Sequence, residues 1–316
     1  MSLNPVIPAD DAVREGVGLP VVFGNRYFVD KNGNGGDGSR MDAPLTDIEV
    51  AYAAVVSSND DTIVLSTNSG HSLTEMLDVS NSRVHFVGDP WKRRYGSRTR
   101  ITLGVTVAAT DLGVMQNTGV GNTFSGIKFD SSNDVAESLY GVVEAGEYAM
   151  YDSCEFFKST DLDVTGAAEL AQNGDSAFFR NCTFGSNANA IVGAIVRPCV
   201  MLTAGLVSGK VSRDTTFEDC EFWRWAGNAA NSFVWATGAA DVQRKLEFKN
   251  CLFNATKEST GTPDVALGGA AALTAGEVLL TGTTAENGCT ALANQTGFFS
   301  ALATYAAGGG SGIQAT

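Results

Sequence analysis

A short phrase recurs five times between Phe124 and Phe253, and any fold for this chain must place the five copies equivalently. The copies read Phe124-Ser-Gly-Ile127-Lys-Phe129, Tyr151-Asp-Ser-Cys154-Glu-Phe156, Phe179-Arg-Asn-Cys182-Thr-Phe184, Phe217-Glu-Asp-Cys220-Glu-Phe222 and Phe248-Lys-Asn-Cys251-Leu-Phe253. Each is an aromatic residue, two polar or small residues, an apolar position that is Cys in four copies, one variable residue, and Phe. The fourth positions, Ile127, Cys154, Cys182, Cys220 and Cys251, follow one another at intervals of 27, 28, 38 and 31 residues. Self-similarity in this range is the mark of a stacked architecture. A sixth, degenerate copy is expected at Leu280-Thr-Gly-Thr283-Thr-Ala285.

Helical repeats would need an apolar period near 3.6, whereas here the alternation from the fourth position to the sixth has period two, as in a strand. The flanks are Gly, Asn, Ser, Asp and Thr, the residues that make turns. A single-stranded, right-handed parallel β-helix fits best, with one repeat per coil and equivalent residues stacked at the strand spacing of about 4.8 Å. The fold class is therefore all-β, with the Cys and Phe positions forming ladders inside the tube.

The cysteines agree with this reading. Six are present in 316 residues, an even number that would also suit a disulfide framework. Such frameworks belong to small domains without a core, and this chain is long enough for a sizeable one. Four of the six fill a place that Ile fills once, as small buried hydrophobes do. No Cys-x-x-Cys occurs, and His71 and His85 are the sole histidines, so zinc-type spacing is missing. Free buried thiols and a reducing site of assembly are expected.

A net charge of -14 argues against nucleic acid as a partner, because phosphate contacts need a basic face. The sequence Met1-Ser-Leu-Asn-Pro-Val-Ile-Pro-Ala-Asp-Asp shows no secretory pattern, and no run of eighteen apolar residues suggests a membrane span. Residues 1–25 read as an extended arm, 26–285 as the β-helix, and 286–316 as a capping segment with a flexible Gly-rich tail. Ile48, Ala51, Tyr52 and Val55 have helical spacing, with Thr46 or Asp47 available as N-cap.

The order of elements near the start resembles that of pectate-lyase-like right-handed β-helices. Many of these open with a strand, a Gly-Asp-Gly-Ser loop, a Pro-containing turn, a short capping helix and an Asp-Thr-Ile strand. The matching pieces are Tyr27 to Val29, Gly36-Asp37-Gly38-Ser39, Pro44, the helix around Ile48 to Val55, and Asp61-Thr62-Ile63-Val64-Leu65. Val84-His-Phe86-Val-Gly88-Asp89 looks like the following turn. After the first coil strand the family expects Gly-x-Tyr, whereas this chain has Gly70-His71-Ser72-Leu73. The resemblance spans roughly residues 26 to 285 and specifies architecture far better than activity.

Four groups of residues invite a chemical role. Asp30, Asn32, Asn34 and Asp37 place oxygen ligands as a calcium loop does, although Met41 stands where the bidentate Glu would be. A loose Ca²⁺ site and a plain turn both fit; no other cofactor is implied. Glu155 and Glu221 share a register, with Asp219 beside them and Asp152 and Glu218 forming a second matched pair. If Cys182 heads the intervening coil, the two glutamates lie about 10 Å apart, near the upper end of the roughly 6.5–9.5 Å of an inverting glycosidase. A solvated outer face would produce the same register without catalysis. Trp91, Lys92, Arg93, Arg94, Tyr95, Arg98 and Arg100 put five of the 21 basic residues into nine positions and suit docking onto an acidic protein. Trp223 and Trp225 should face outward, opposite the inner Phe222, and suit either a sugar or a protein neighbour. Two histidines and no serine elbow weigh against a nucleophilic triad.

Two functional classes follow. The chain resembles virion structural proteins of tailed bacteriophages: a capsid decoration or cement protein, made in the host cytoplasm, that carries no catalytic site. Its partners would be the major capsid protein or other virion proteins, with homo-oligomers and without nucleic acid or membrane. The alternative is a tailspike-like polysaccharide depolymerase or receptor-binding module, with Glu155, Glu221 and Asp219 as its acids.

Overall fold

The computed structural model describes residues 24–66, 70–88, 99–103, 111–131, 139–158, 168–185, 198–224, 232–238, 240–255, 264–270, 273, 276–287, 289–293 and 313–315. Their strands form three parallel sheets of ten, eight and eight strands, which the chain visits in a fixed order. Met150–Asp152 lies in the first sheet, Glu155–Lys158 in the second and Ala168–Gln172 in the third, and Phe178–Arg180 returns to the first one rung further on. The result is the right-handed parallel β-helix expected from the repeat.

The repeated phrase is the corner between the first and second sheets. Its opening aromatic points inward from the first sheet, where Phe86, Phe124, Tyr151, Phe179, Phe217 and Phe248 are in register. Its closing Phe points inward from the second, where Phe129, Phe156, Phe184, Phe222 and Phe253 align. Rings within each column stack with centroids 4.5–5.6 Å apart. Between columns they meet edge-on, as Phe179 and Phe184 do at 66°. Both arrangements suit the ring quadrupole.

Turning this corner in two residues requires a left-handed backbone at the third position of the phrase. Gly126, Ser153, Asn181, Asp219, Asn250 and Gly282 all have φ between 50° and 65°. Gly reaches that region freely and Asn and Asp tolerate it, which is why the position holds only small or side-chain-capping residues. Hydrogen bonding continues around the bend. The N–H of Ser153 donates to the Arg180 carbonyl (2.9 Å), and the N–H of Glu155 donates to the Ile127 carbonyl (2.9 Å).

Cysteine suits the fourth position because it is small and apolar and carries a weak donor. The Sγ atoms of Cys154, Cys182, Cys220 and Cys251 lie 3.4–3.5 Å from the carbonyl oxygens of Phe124, Tyr151, Phe179 and Phe217 on the preceding rung. In the sixth copy Leu280 and Ala285 are in register with Phe248 and Phe253. Thr283 there donates its hydroxyl to the Phe248 carbonyl (3.2 Å), so it does the work of the thiol. All six cysteines are free and buried.

The corner between the third and first sheets is lined differently. Asn117, Glu144 and Gln172 occupy one inward column, all fully buried. Glu144 accepts from the Tyr151 hydroxyl (2.5 Å), from Asn117 Nδ2 (2.9 Å) and from the Gly146 N–H (2.6 Å). Burial pushes its carboxyl up to about 7 against those hydrogen bonds, which favour the charged form. Outside the third sheet, Tyr140, Val143, Ala168, Ala171 and Met201 form a second apolar cluster beneath Leu206 and Val207. The cover reaches the middle rungs; in the same outer column Asp78 is exposed and Gln116 and Trp235 are half-buried.

One end of the tube is closed by the short helix Ile48–Ala53, whose Ile48 and Ala51 join the main core. Asp47 is its N-cap and accepts from the Glu49 N–H (2.8 Å). Strands continue past residue 285: Cys289–Ala293 belongs to the third sheet and Ile313–Ala315 to the first. Most of the expected N-terminal arm and Gly-rich tail lie outside the described residues.

Candidate functional site

On the outer face of the second sheet polar and aromatic side chains stand together. Residues pointing out of this sheet form two parallel columns. In the first, Lys128, Glu155, Thr183, Glu221 and Leu252 occupy successive rungs. Thr183 does separate the two glutamates, so they stand two rungs apart, about 10 Å by strand spacing. Glu155 Oε1 is bound by Lys128 Nζ at 2.9 Å, and Glu221 Oε2 accepts from the Trp223 indole N–H at 3.0 Å. Asp219 is the left-handed corner residue of its rung, and its N–H donates to the Lys249 carbonyl (2.9 Å).

The second column contains Asp130, Phe157, Gly185, Trp223 and Asn254. Phe157 and Trp223 are both half-buried, and Gly185 brings no side chain to the rung between them. Gly185 has φ +79°, and a Cβ there would meet the Trp223 carbonyl oxygen at 2.0 Å. Glycine is thus fixed by the backbone, and the two half-buried rings stand about 10 Å apart on either side of the buried Gly185, a short shelf whose column neighbours Asp130 and Asn254 are also buried. Lys128 Nζ sits 4.5 Å from the Phe157 ring centroid, a cation–π contact that holds the ring while its partner Glu155 holds the ammonium.

Asp30 Oδ1 accepts from the Asn32 N–H (3.0 Å), and Asp37 Oδ1 accepts from the Ser39 N–H (3.0 Å) and hydroxyl (2.7 Å). These are local turns, and the Ser39 bonds pull the Asp37 carboxyl below its usual range. Asn34 stands in the same exposed loop. Among the described residues no three His, Cys, Asp or Glu side chains are grouped as metal ligands. Of the basic cluster, Trp91, Lys92, Arg93, Arg94, Tyr95 and Arg98 lie outside the described residues, as does Trp225. Arg100 is described, and it pairs with Asp130 Oδ2 at 2.8 Å on the next rung. Asp152 binds Arg180 Nε (3.1 Å) on the first sheet, where Asp152, Arg180, Glu218 and Lys249 alternate in charge along one column.

The Phe157–Gly185–Trp223 shelf was not read from the sequence. Its signal was present, since Phe157 and Gly185 each follow the closing Phe of a repeat directly and so must point outward as Trp223 does.

No family model matches the sequence, and no curated protein matches it either. Solved structures do share its architecture. A carrot pectin methylesterase aligns at TM-score 0.58 and 12% identity, covering 94% of this chain and 84% of the esterase. A pectin methylesterase in complex with a hexasaccharide aligns at 0.58 and 11% identity, covering 84% and 80%. Pectate lyase Pel9A aligns at 0.54 and 15% identity. This chain has the pectin-lyase-like fold. It covers 83% of itself but only 63% of that lyase, so it spans less than two thirds of the lyase's length. At such identities the likeness is one of backbone architecture.

Proposed function

We propose that the outer face of the second sheet binds an extended polysaccharide, the polymer lying along the rod with its sugars over the Phe157–Gly185–Trp223 shelf. The observation that carries this reading is the shelf itself, flanked by Glu155, Thr183 and Glu221. Sugar rings stack on aromatic faces, and carboxylates and hydroxyls beside them accept and donate hydrogen bonds to sugar hydroxyls. Solved proteins of the same fold that act on pectin, one of them holding a hexasaccharide, lend the reading support.

Charge selects the kind of polymer. The cations described on this face, Arg100 and Lys128, are already salt-bridged to Asp130 and Glu155, and Glu221 adds a further carboxylate. A polyanionic uronate chain would meet acids without spare partners, so a neutral polysaccharide is the better fit. Glu155 and Glu221 stand two rungs apart, about 10 Å and just beyond the roughly 6.5–9.5 Å of an inverting pair, and Glu155 is committed to Lys128. This face therefore recognises its polymer without cleaving it. The capsid-decoration expectation rests on the arm, the tail and residues 91–98, which lie almost wholly outside the described residues.

Affinity electrophoresis in gels containing neutral polysaccharides (xylan, β-glucan, galactomannan) or polygalacturonate tests the proposal. Retardation in a neutral gel, lowered roughly tenfold in affinity by Trp223→Ala, is expected from the value of one aromatic contact. Retardation by none of the neutral polymers, or retardation that Trp223→Ala and Phe157→Ala leave unchanged, overturns it. Release of reducing ends that Glu155→Gln or Glu221→Gln stops would replace recognition by hydrolysis.

A further inference from the structure

On the first sheet, three consecutive rungs assemble an array that the order of residues in the chain conceals. Thr62, His85 and Thr123 are in register on the side of the sheet away from the core, Thr62 fully buried and His85 and Thr123 half-buried. The Nδ1 atom of His85 lies 2.7 Å from Thr123 Oγ1, and its Nε2 lies 3.5 Å from Asp60 Oδ1. Asp60 occupies a left-handed corner position (φ 57°) two residues before its strand, and Arg83 occupies the equivalent position one rung on (φ 56°). Arg83 Nε donates to Asp60 Oδ1 at 2.8 Å, and its Nη2 to Oδ2. The Arg83 bonds lead in holding the Asp60 carboxyl below its usual range, with His85 adding to them, so Asp60 is an anion facing the imidazole.

This is the relation of a nucleophile to a base that a third group orients. An anion at Nε2 favours the tautomer with its proton there, which leaves the Nδ1 lone pair directed at the Thr123 hydroxyl. The count of histidines does not exclude such an array, because one correctly held imidazole is enough. We propose that Asp60, His85 and Thr123 form an acyl-transfer site for small activated esters.

In the first step Thr123 Oγ1 forms a bond to the acyl carbon while its proton passes to His85 Nδ1. The carbon–oxygen bond to the leaving group then breaks, and the leaving oxygen takes the proton from Nδ1. Water repeats the sequence on the threonyl ester, giving the carboxylic acid and restoring the hydroxyl. Atoms balance, and no oxidant or metal is needed. The backbone N–H groups of Thr123 and His85 already donate to the carbonyls of Val84 (3.0 Å) and Asp61 (2.8 Å), so neither stabilises an oxyanion. Arg83, half exposed with N–H groups beyond the two that bind Asp60, is the donor at hand. With so little oxyanion support the substrate must carry a good leaving group, which restricts the site to aryl esters and similarly activated acyl groups.

The test is incubation of the full chain with 4-nitrophenyl acetate, reading nitrophenol release and the site of acetylation after acid quench. One acetyl group on Thr123 is expected. His85→Gln should slow acylation at least 100-fold, as removal of a general base does. Thr123→Val, close in shape and suited to a strand, should abolish the adduct, and Thr123→Ser should keep it with an unchanged circular dichroism spectrum. Nitrophenol release that Thr123→Val leaves intact would mean a lone imidazole at work and overturn the proposal, as would acetylation found only on lysines. A folded Thr123→Ser protein that takes no acetyl group would overturn it equally.

Discussion

Where the first sheet meets the second, four successive rungs carry the same equipment: a stacked ring, a left-handed residue, a thiol (Cys154, Cys182, Cys220 or Cys251) and another ring. Where the third sheet meets the first, the inward column reads Val79, Asn117, Glu144, Gln172, Leu202, and no two rungs match. Both corners bend the chain with left-handed residues, Arg83, Gly121, Tyr148, Ser176 and Asp214 serving the second. They differ in how the interior beside the bend is satisfied. At the first corner van der Waals stacking is sequence-tolerant and the thiol returns its weak hydrogen bond to the rung before, so one solution can be repeated. At the second, polar groups bond within the bend, Asn122 Nδ2 to Asn117 Oδ1 (2.8 Å), and across rungs, Asn117 Nδ2 to Glu144 (2.9 Å), so each residue depends on a different neighbour. Repetition is thus a property of dry packing here, and individuality a property of buried polarity.

The largest expected effect comes from importing charge into the dry corner. Cys220→Asp puts an unpaired carboxylate beside Phe179 and Phe217 and should leave no soluble folded protein, judged by expression and circular dichroism. Cys220→Val, which forfeits the thiol's weak bonding to the Phe179 and Glu218 carbonyls (3.5 and 3.3 Å), should cost less than about 1.5 kcal/mol. A harmless Cys220→Asp would dissolve the contrast between the corners. Phe179→Ala removes stacks with Tyr151 and Phe217 and should cost about 3–5 kcal/mol in urea unfolding, since the rungs on either side hold the cavity open.

The polar corner should answer to pH instead. Glu144 binds its proton more tightly folded, at about 7 against 4.5 unfolded, so the stability gained is complete below the unfolded value and is lost as pH rises through 7. A shift of that size corresponds to about 3 kcal/mol. Relative to the wild type, Glu144→Gln should gain stability between pH 5 and pH 8; parallel curves would show that the carboxyl is already charged at pH 5. Smallest is the bend itself. Asn250→Val should cost about 1–2 kcal/mol because a β-branched residue resists a φ of 50°, whereas Asn250→Gly should stay near wild type, and equal losses would remove the conformational explanation.

The same contrast explains what could be read in advance. The β-helix, its inner Phe ladders, the free thiols and the Asp47 cap were legible because each follows from spacing or from a residue type with one physical use. The register of Glu155 with Glu221 was legible too, since a fixed corner length carries it from rung to rung. The Asp60–His85–Thr123 array was not, because its members lie on different rungs separated by stretches of unequal length, and no local phrase marks them. Glu144 escaped for the related reason that a buried acid looks like any solvated one until its neighbours are known.

The alternating column Asp152, Arg180, Glu218, Lys249 has a consequence for how coils recognise their places during folding. Neighbouring rungs lie only about thirty residues apart along the chain, so closure entropy differs little between a correct and a skipped pairing. Aromatic columns cannot tell them apart either, since a Phe fits on any Phe. A strand that skipped one rung would set Asp152 against Glu218, or Arg180 against Lys249, and like charges directly opposite one another oppose that pairing. The charges outside thus act as a proofreading code for a stack whose inside is degenerate.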